Sequence, residues 1–186
     1  MKNKFFFLTT AVLCAALNLN AQDIRFGAKA GLNLSTLGGD AAYSYDSKPG
    51  FHLGGVLEIP VSDVFMIQPE ALISLQGSGG FYQDDLNFWY LTIPVVAKYN
   101  VWDELYIEAG PQVSVLLSDN LAGNARGFGN GYSESNGLDF GLSIGAGYRL
   151  DDNFYFQARF NVGVLNAIKD QSSKNRVFQI SAIYFL

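Results

Sequence analysis

Apolar and polar residues alternate along most of this chain with a period of two. From 105 to 117, Leu105, Ile107, Ala109, Pro111, Val113, Val115 and Leu117 fall on one side. Tyr106, Glu108, Gly110, Gln112, Ser114 and Leu116 fall on the other. Side chains alternate across a strand, so this segment has one greasy face and one mostly polar face. The same pattern predicts strands at about 24–34, 50–60, 65–76, 88–99, 137–150, 154–164 and 177–186, eight with the first. The connections alternate too. Those after strands 2, 4 and 6 are short, built on Val61-Ser62-Asp63, Asn100 to Glu104 and Asp151-Asp152-Asn153. Those after strands 1, 3, 5 and 7, Ser35 to Pro49, Gly77 to Asn87, Ser118 to Asn136 and Asn166 to Arg176, are longer and rich in Gly, Ser, Asn and Asp, the composition of exposed loops.

An even number of antiparallel strands joined in this way fits an up-and-down barrel, with a soluble sandwich as the alternative, and the open question is which face looks outward. A soluble barrel buries the apolar face; a membrane barrel turns it to lipid. Charged residues make up only 16% of the chain, against about a quarter in soluble domains. The polar face is rich in glycine and poor in charge, which suits a crowded interior. Short turns at one end and long loops at the other are the outer-membrane arrangement, with both termini on the short-turn side. Aromatic residues gather at strand ends: Phe26, Phe65, Tyr99, Trp102, Tyr148, Phe154 and Tyr184 near the short turns, Phe51, Phe88 and Trp89 near the long loops. Such rings settle at membrane interfaces. The pattern therefore predicts an all-β, eight-stranded antiparallel up-and-down transmembrane β-barrel. Pro69, Pro94 and Pro111 lie within strands paired on both sides, so each should mark a bulge or a missing ladder bond.

The N-terminus fits export. Lys2 and Lys4 precede an apolar run from Phe5 to Leu17, followed by small and polar residues. This reads as a signal peptide over 1–21, cleaved after Ala21, with a single barrel domain over 22–186. The run is too short to span a bilayer. Cys14, the one cysteine, follows Leu13 rather than a small residue and makes a poor lipidation site. Cleavage removes it, which excludes disulfide and thiol chemistry from the mature chain. Cleavage also takes two of the 12 basic residues and none of the 17 acids, leaving 10 against 17 and a net charge of −7. Nucleic acid is a poor partner for such a protein. The expected location is the outer membrane, with its lipid as the first partner.

Three stretches, "GAKAGLNLS", "QPEALISLQG" and "LTIPVVAKYNVWDELYIEAGPQ", resemble the recurring motifs of PorT-like, "porin family" outer-membrane β-barrel proteins. The matching residues are Gln68-Pro69-Glu70, Ile93-Pro94 with Lys98-Tyr99, and Gly110-Pro111. The resemblance implies a fold and a location and no reaction; one namesake takes part in protein secretion. Such barrels commonly end in an aromatic residue read by the barrel assembly machinery, whereas this chain ends Tyr184-Phe185-Leu186.

With the apolar face toward lipid, Arg25, Lys29, Lys98, Arg149 and Arg159 point inward with Glu58, Glu70, Glu108 and Asp139. An eight-stranded barrel is just wide enough for side chains to fill it, and buried charges must pair. The expectation is a salt-bridged plug in the short-turn half, with Lys98 and Arg25 near the mouth; the alternative is a narrow porin. His52, the one histidine, faces inward near the long-loop end. Ser35, Ser78 and Asp84 or Asp85 are candidate neighbours for it in a lipid-modifying enzyme, the competing class. Gly77-Ser78-Gly79-Gly80 lacks the lysine and helix of a phosphate loop. The loop acids Asp40, Asp46, Asp84, Asp85, Asp119 and Glu134 read as solvated charge rather than a cation site. No cofactor, metal or catalytic residue is expected. The long loops are the expected contact for an extracellular partner.

Overall fold

The computed structural model describes residues 24–39, 45–80, 86–119, 137–166 and 173–186. The signal-peptide segment and the central parts of the long loops, with Asp40, Asp84, Asp85 and Glu134, lie outside the described residues. Eight strands follow in order: β1 Arg25–Gly39, β2 Tyr45–Ser62, β3 Phe65–Gly80, β4 Leu86–Trp102, β5 Leu105–Asp119, β6 Leu138–Arg149, β7 Phe154–Asn166 and β8 Ser173–Phe185. Each pairs antiparallel with its sequence neighbours, and β1 pairs with β8 from Gly27↔Phe185 to Gly39↔Ser173, which closes the barrel.

The distribution of side chains is inside out. Leu32, Leu142 and Ile144 are 70%, 61% and 65% exposed, whereas Lys29 and Lys98 are fully buried. In water that arrangement would forfeit about 25 cal/mol for every Å² of apolar surface left uncovered. Against hydrocarbon it satisfies both faces, because the closed ladder leaves no unpaired edge. The aromatic girdles lie where the alternation places them. Trp102, Tyr99, Tyr148, Phe154 and Tyr184 are exposed at the short-turn end, and Phe51 is exposed at the other. The rings of Phe51 and Trp89 pack edge to face at 5.7 Å, and those of Phe154 and Tyr184 at 5.1 Å. Phe88 is the exception. It shares parity with Tyr90 and Thr92, points into the lumen and is fully buried, so it belongs to the interior and not to a girdle.

The strands extend past the hydrophobic alternation at the long-loop end. β2 has 18 residues, against the roughly nine to eleven that cross hydrocarbon. Ser35 pairs with Lys48 and Tyr45 with Gly80, so much of the Ser35–Pro49 and Gly77–Asn87 segments is ladder rather than loop. Asp46 and Asp119 likewise lie within strands. Beyond the bilayer both faces meet water, so backbone pairing continues while the side-chain pattern that would reveal it fades.

At the short-turn end, two-residue turns occupy Asp63-Val64 and Asp103-Glu104. Each follows a register shift, between Pro60 and Ser62 and between Asn100 and Trp102. Asp103 takes a positive φ of 41°, a conformation that Asp tolerates better than most residues. In the third turn the Asp151 Oδ1 accepts from the backbone N–H of Asn153 and Phe154, at 2.9 and 2.6 Å.

The prolines interrupt pairing without shifting register. Pairing skips from Pro69↔Val95 to Leu72↔Thr92 between β3 and β4, and from Pro94↔Gln112 to Ala97↔Ala109 between β4 and β5. The missing N–H groups therefore weaken the ladder locally and add no residue to it. Curvature explains the inward glycines. A Cβ on Gly54 would sit 2.0 Å from the Ala71 carbonyl oxygen, and one on Gly110 would sit 2.0 Å from that of Val95. Neighbouring strands of so tight a barrel approach too closely on the inner face for any side chain there.

Candidate functional site

The lumen is filled by three layers of polar side chains. Nearest the short turns, Glu58 of β2 accepts from three cations. Arg149 Nη2 lies 2.7 Å from its Oε1, Arg25 Nη1 3.4 Å from the same oxygen, and Lys98 Nζ 2.6 Å from Oε2. Lys98 is fully buried and so is not at the mouth, where its position near the end of β4 suggested. Its stem turns inward, and its ammonium sits 3.6 Å from the centre of the Tyr155 ring and donates to Gln68 at 3.1 Å. Arg25, half-buried, is the cation at the mouth.

The middle layer is built on Glu70 of β3 and Glu108 of β5. Glu70 receives Lys29 Nζ at 2.8 Å, Gln68 Nε2 at 2.7 Å and both terminal nitrogens of Arg159, at 3.1 and 2.9 Å. Glu108 receives Arg159 Nη2 at 2.8 Å, the Tyr155 hydroxyl at 2.6 Å and Gln157 Nε2 at 2.9 Å. The placement of these pairs matters more than their number. β3 and β7 stand four strands apart in a ring of eight, as do β2 and β6. The Arg159–Glu70 and Arg149–Glu58 bonds therefore run wall to wall across the lumen. Two-point guanidinium–carboxylate contact fixes orientation as well as distance.

Above this lies an uncharged belt. His52 Nδ1 is 2.7 Å from Asn33 Oδ1, and His52 Nε2 is 2.8 Å from Ser181 Oγ. Asn33 Nδ2 donates to the carbonyls of Phe51 and Leu75 and to Ser74 Oγ, so its oxygen faces the ring. His52 must then carry its proton on Nδ1 and accept from Ser181 through Nε2. Neither partner was among the neighbours nominated from the sequence. Ser35 donates instead to the Lys48 carbonyl and accepts from the Gly77 N–H, at 3.2 and 2.9 Å. Asp84 and Asp85 fall outside the described residues. Ser181–His52–Asn33 has the connectivity of a nucleophile, base and orienting group, but His52 and Ser181 are 1% and 2% exposed and offer no face to a substrate. Asp139 sits apart from the charged layers, buried toward the long-loop end of β6 opposite Ser114 of β5. Among the described residues no cluster of three or more His, Cys, Asp or Glu side chains forms a metal site.

Sequence reasoning nominated the charges and passed over the groups that knit them together. Tyr155, Gln157 and Gln68 all lie on the polar face of their strands, and that parity was the available signal. A large aromatic at such a position reads as incidental until the hydroxyl is seen on Glu108 and the ring under Lys98.

An inverted, closed, eight-stranded wall around a polar interior is the architecture of small outer-membrane barrels. The chain belongs to the outer membrane protein beta-barrel domain family. The family model matches residues 20–169, most of the chain. No curated protein sequence matches it. Among solved structures the fold is similar to Neisserial surface protein A, with a TM-score of 0.63 at 11% identity, covering 86% of this chain and 96% of that one. It is also similar to Ail, the attachment invasion locus protein of Yersinia pestis, with a TM-score of 0.54 at 15% identity, covering 87% of this chain and 98% of that one. A second Ail structure, in complex with the heparin analogue sucrose octasulfate, gives 0.55 at 15% identity and covers 89% and 100%. At such identities the likeness is one of fold.

Proposed function

We propose that this outer-membrane barrel is a non-conducting, non-enzymatic scaffold that holds its long loops at the cell surface for contact with an extracellular partner. The observation that carries the reading is the pair of wall-to-wall ion bonds, Arg159–Glu70 and Arg149–Glu58, at 2.7–3.1 Å. Together with the belt around His52 they set buried, hydrogen-bonded side chains across the lumen, which supports a closed interior over an ion path. A filled interior makes the wall rigid, and function then falls to what the wall displays. The longest connection, 120–136, is rich in Gly, Asn and Ser and suits adaptable surface contact. Export by the N-terminal signal peptide, and insertion by the barrel assembly machinery acting on the C-terminal strand, complete the proposal. Within the family, the Gln68-Pro69-Glu70, Ile93-Pro94 and Gly110-Pro111 motifs support a PorT-like affiliation.

Two measurements test this. Planar-bilayer recordings of the refolded protein should show no steady conductance; stable open channels would make it a narrow porin. Protease added to intact cells should cut within 120–136 and leave a barrel that still migrates anomalously on unheated gels. Complete protection of that segment would place the loops away from the surface.

A further inference from the structure

β8 begins, at the long-loop rim, with Ser173-Lys174-Asn175-Arg176. Alternation sends Asn175 into the barrel, where it is buried, and turns Lys174 and Arg176 outward, where both are exposed. They are the only exposed lysine or arginine side chains among the described residues; the rest are buried or half-buried. Two positions apart on one face, their Cα atoms stand about 7 Å from each other, so both side chains can close on one small anion. The wall beneath them is apolar. Phe178 comes next on the same face, paired with Leu34 of β1 and Phe160 of β7, and all three are exposed. Nothing on these strands compensates the two charges: β7, β8 and β1 contain no acidic residue. Lys174 lies ten residues from the girdle residue Tyr184 on β8, the same separation as Trp89 from Tyr99 on β4. At about 3.3 Å per residue and a tilt of about 40°, that is about 25 Å, the height of the apolar band. β4 marks the upper edge of the band with an aromatic ring, and β8 marks it with cations. Arg176, one pleat lower, can reach the same level by laying its stem along the wall. Two like charges side by side at the edge of hydrocarbon repel unless an anion lies between them.

We propose that Lys174 and Arg176 form a docking site for an anionic, phosphate-bearing lipid of the leaflet around the long-loop rim. The phosphate lies between the two cations, and the acyl chains lie on Leu34, Phe160 and Phe178. Cations directly above an apolar patch suit an amphiphile. A free phosphate would leave the patch unused, and a zwitterionic lipid would bring a cation of its own to the site. Arg176 supplies a planar fork for two phosphate oxygens and Lys174 a point charge. The opposite rim has the reverse sign: Asp63, Asp103, Glu104, Asp151 and Asp152 are exposed on the short turns and would repel the same head group. The fold therefore favours such a lipid in one leaflet only. The site is on the outer wall, independent of the lumen and of whatever the loops contact.

The full barrel, refolded in a neutral detergent, is titrated with dioleoyl phosphatidic acid, dioleoyl phosphatidylcholine and glycerol 3-phosphate, and bound adducts are followed by native mass spectrometry. Phosphatidic acid should give a saturable adduct at about thirtyfold lower concentration than phosphatidylcholine, the scale of two cations facing an anionic head group. Glycerol 3-phosphate should not displace it. Replacing both cations, Lys174→Gln with Arg176→Gln, should abolish the preference while keeping the heat-modifiable gel mobility of a folded barrel. Arg176→Lys, which keeps the charge, should retain most of it. Equal affinity for the two lipids would overturn the site, as would a preference unchanged in the double variant. Displacement by glycerol 3-phosphate would overturn the lipid assignment in favour of a soluble phosphate. A detergent micelle has no sidedness, so this result is separate from the protease test of which end faces outward.

Discussion

Glu70→Ala should destabilise this barrel more than any substitution in its turns. Glu70 accepts four hydrogen bonds of 2.7–3.1 Å, three of them from Lys29 and Arg159. Both cations are essentially fully buried, at 0% and 1% exposure. Removing the carboxylate leaves Arg159 with Glu108 and leaves Lys29 with no anion within ion-pair distance among the described residues. In the urea-unfolded chain both cations are hydrated, so the loss falls on the folded state. Breaking a buried ion pair from one side costs about 3–5 kcal/mol, roughly two to four powers of ten in the folding constant. The control is Asp151→Ala, which loses two hydrogen bonds to backbone N–H groups in an exposed turn and should cost about 1 kcal/mol. Urea unfolding of protein refolded into detergent or lipid, followed by the heat-dependent gel shift and tryptophan fluorescence, measures both. The double variant Glu70→Ala with Lys29→Met separates charge from packing, since removing the stranded ammonium should restore part of the loss. A cost below about 1 kcal/mol for Glu70→Ala, with no recovery in the double variant, would show a watered lumen that screens its charges and would refute the plug.

Gly54→Val should prevent closure, because its first carbon would meet the Ala71 carbonyl at 2.0 Å, whereas Gly55→Ala, on the outer face with nothing closer than 3.9 Å, should fold normally; the yield of heat-modifiable barrel distinguishes them. Leu142→Arg on the lipid face should cost about 2–4 kcal/mol in urea titration if it lies near the midplane, and a neutral result would deny that this face meets hydrocarbon. His52→Ala should leave the lipid composition of expressing cells unchanged; loss of a specific lipid modification with the barrel still folded would give the Ser181–His52–Asn33 chain a chemical role.

The alternation of residue types was enough to set the strands, their number, the direction of each side chain and the inversion of the barrel. Those properties depend on parity and on the solvent each face meets, and both are local. Glu108 and Pro111 are both legible this way, one turned to the lumen and the other to lipid. Phe88 was misread as an interfacial aromatic beside Trp89, although its parity sends it inward. Position along a strand also gave the approximate height of most charges in the lumen, though not that of Lys98, whose ammonium turns inward from the end of β4. It did not give the angle around the barrel axis, which depends on register between strands far apart in sequence and on closure of β1 against β8. Lys98 faces Glu108 in the β4–β5 ladder yet bonds Glu58 of β2. His52 meets Asn33 and Ser181, whereas Ser35, nominated as its neighbour, bonds the Lys48 carbonyl and the Gly77 N–H. Arg159 crosses the lumen to Glu70. In a tube this narrow, long side chains reach any wall, so only the assembled ring decides which charges meet.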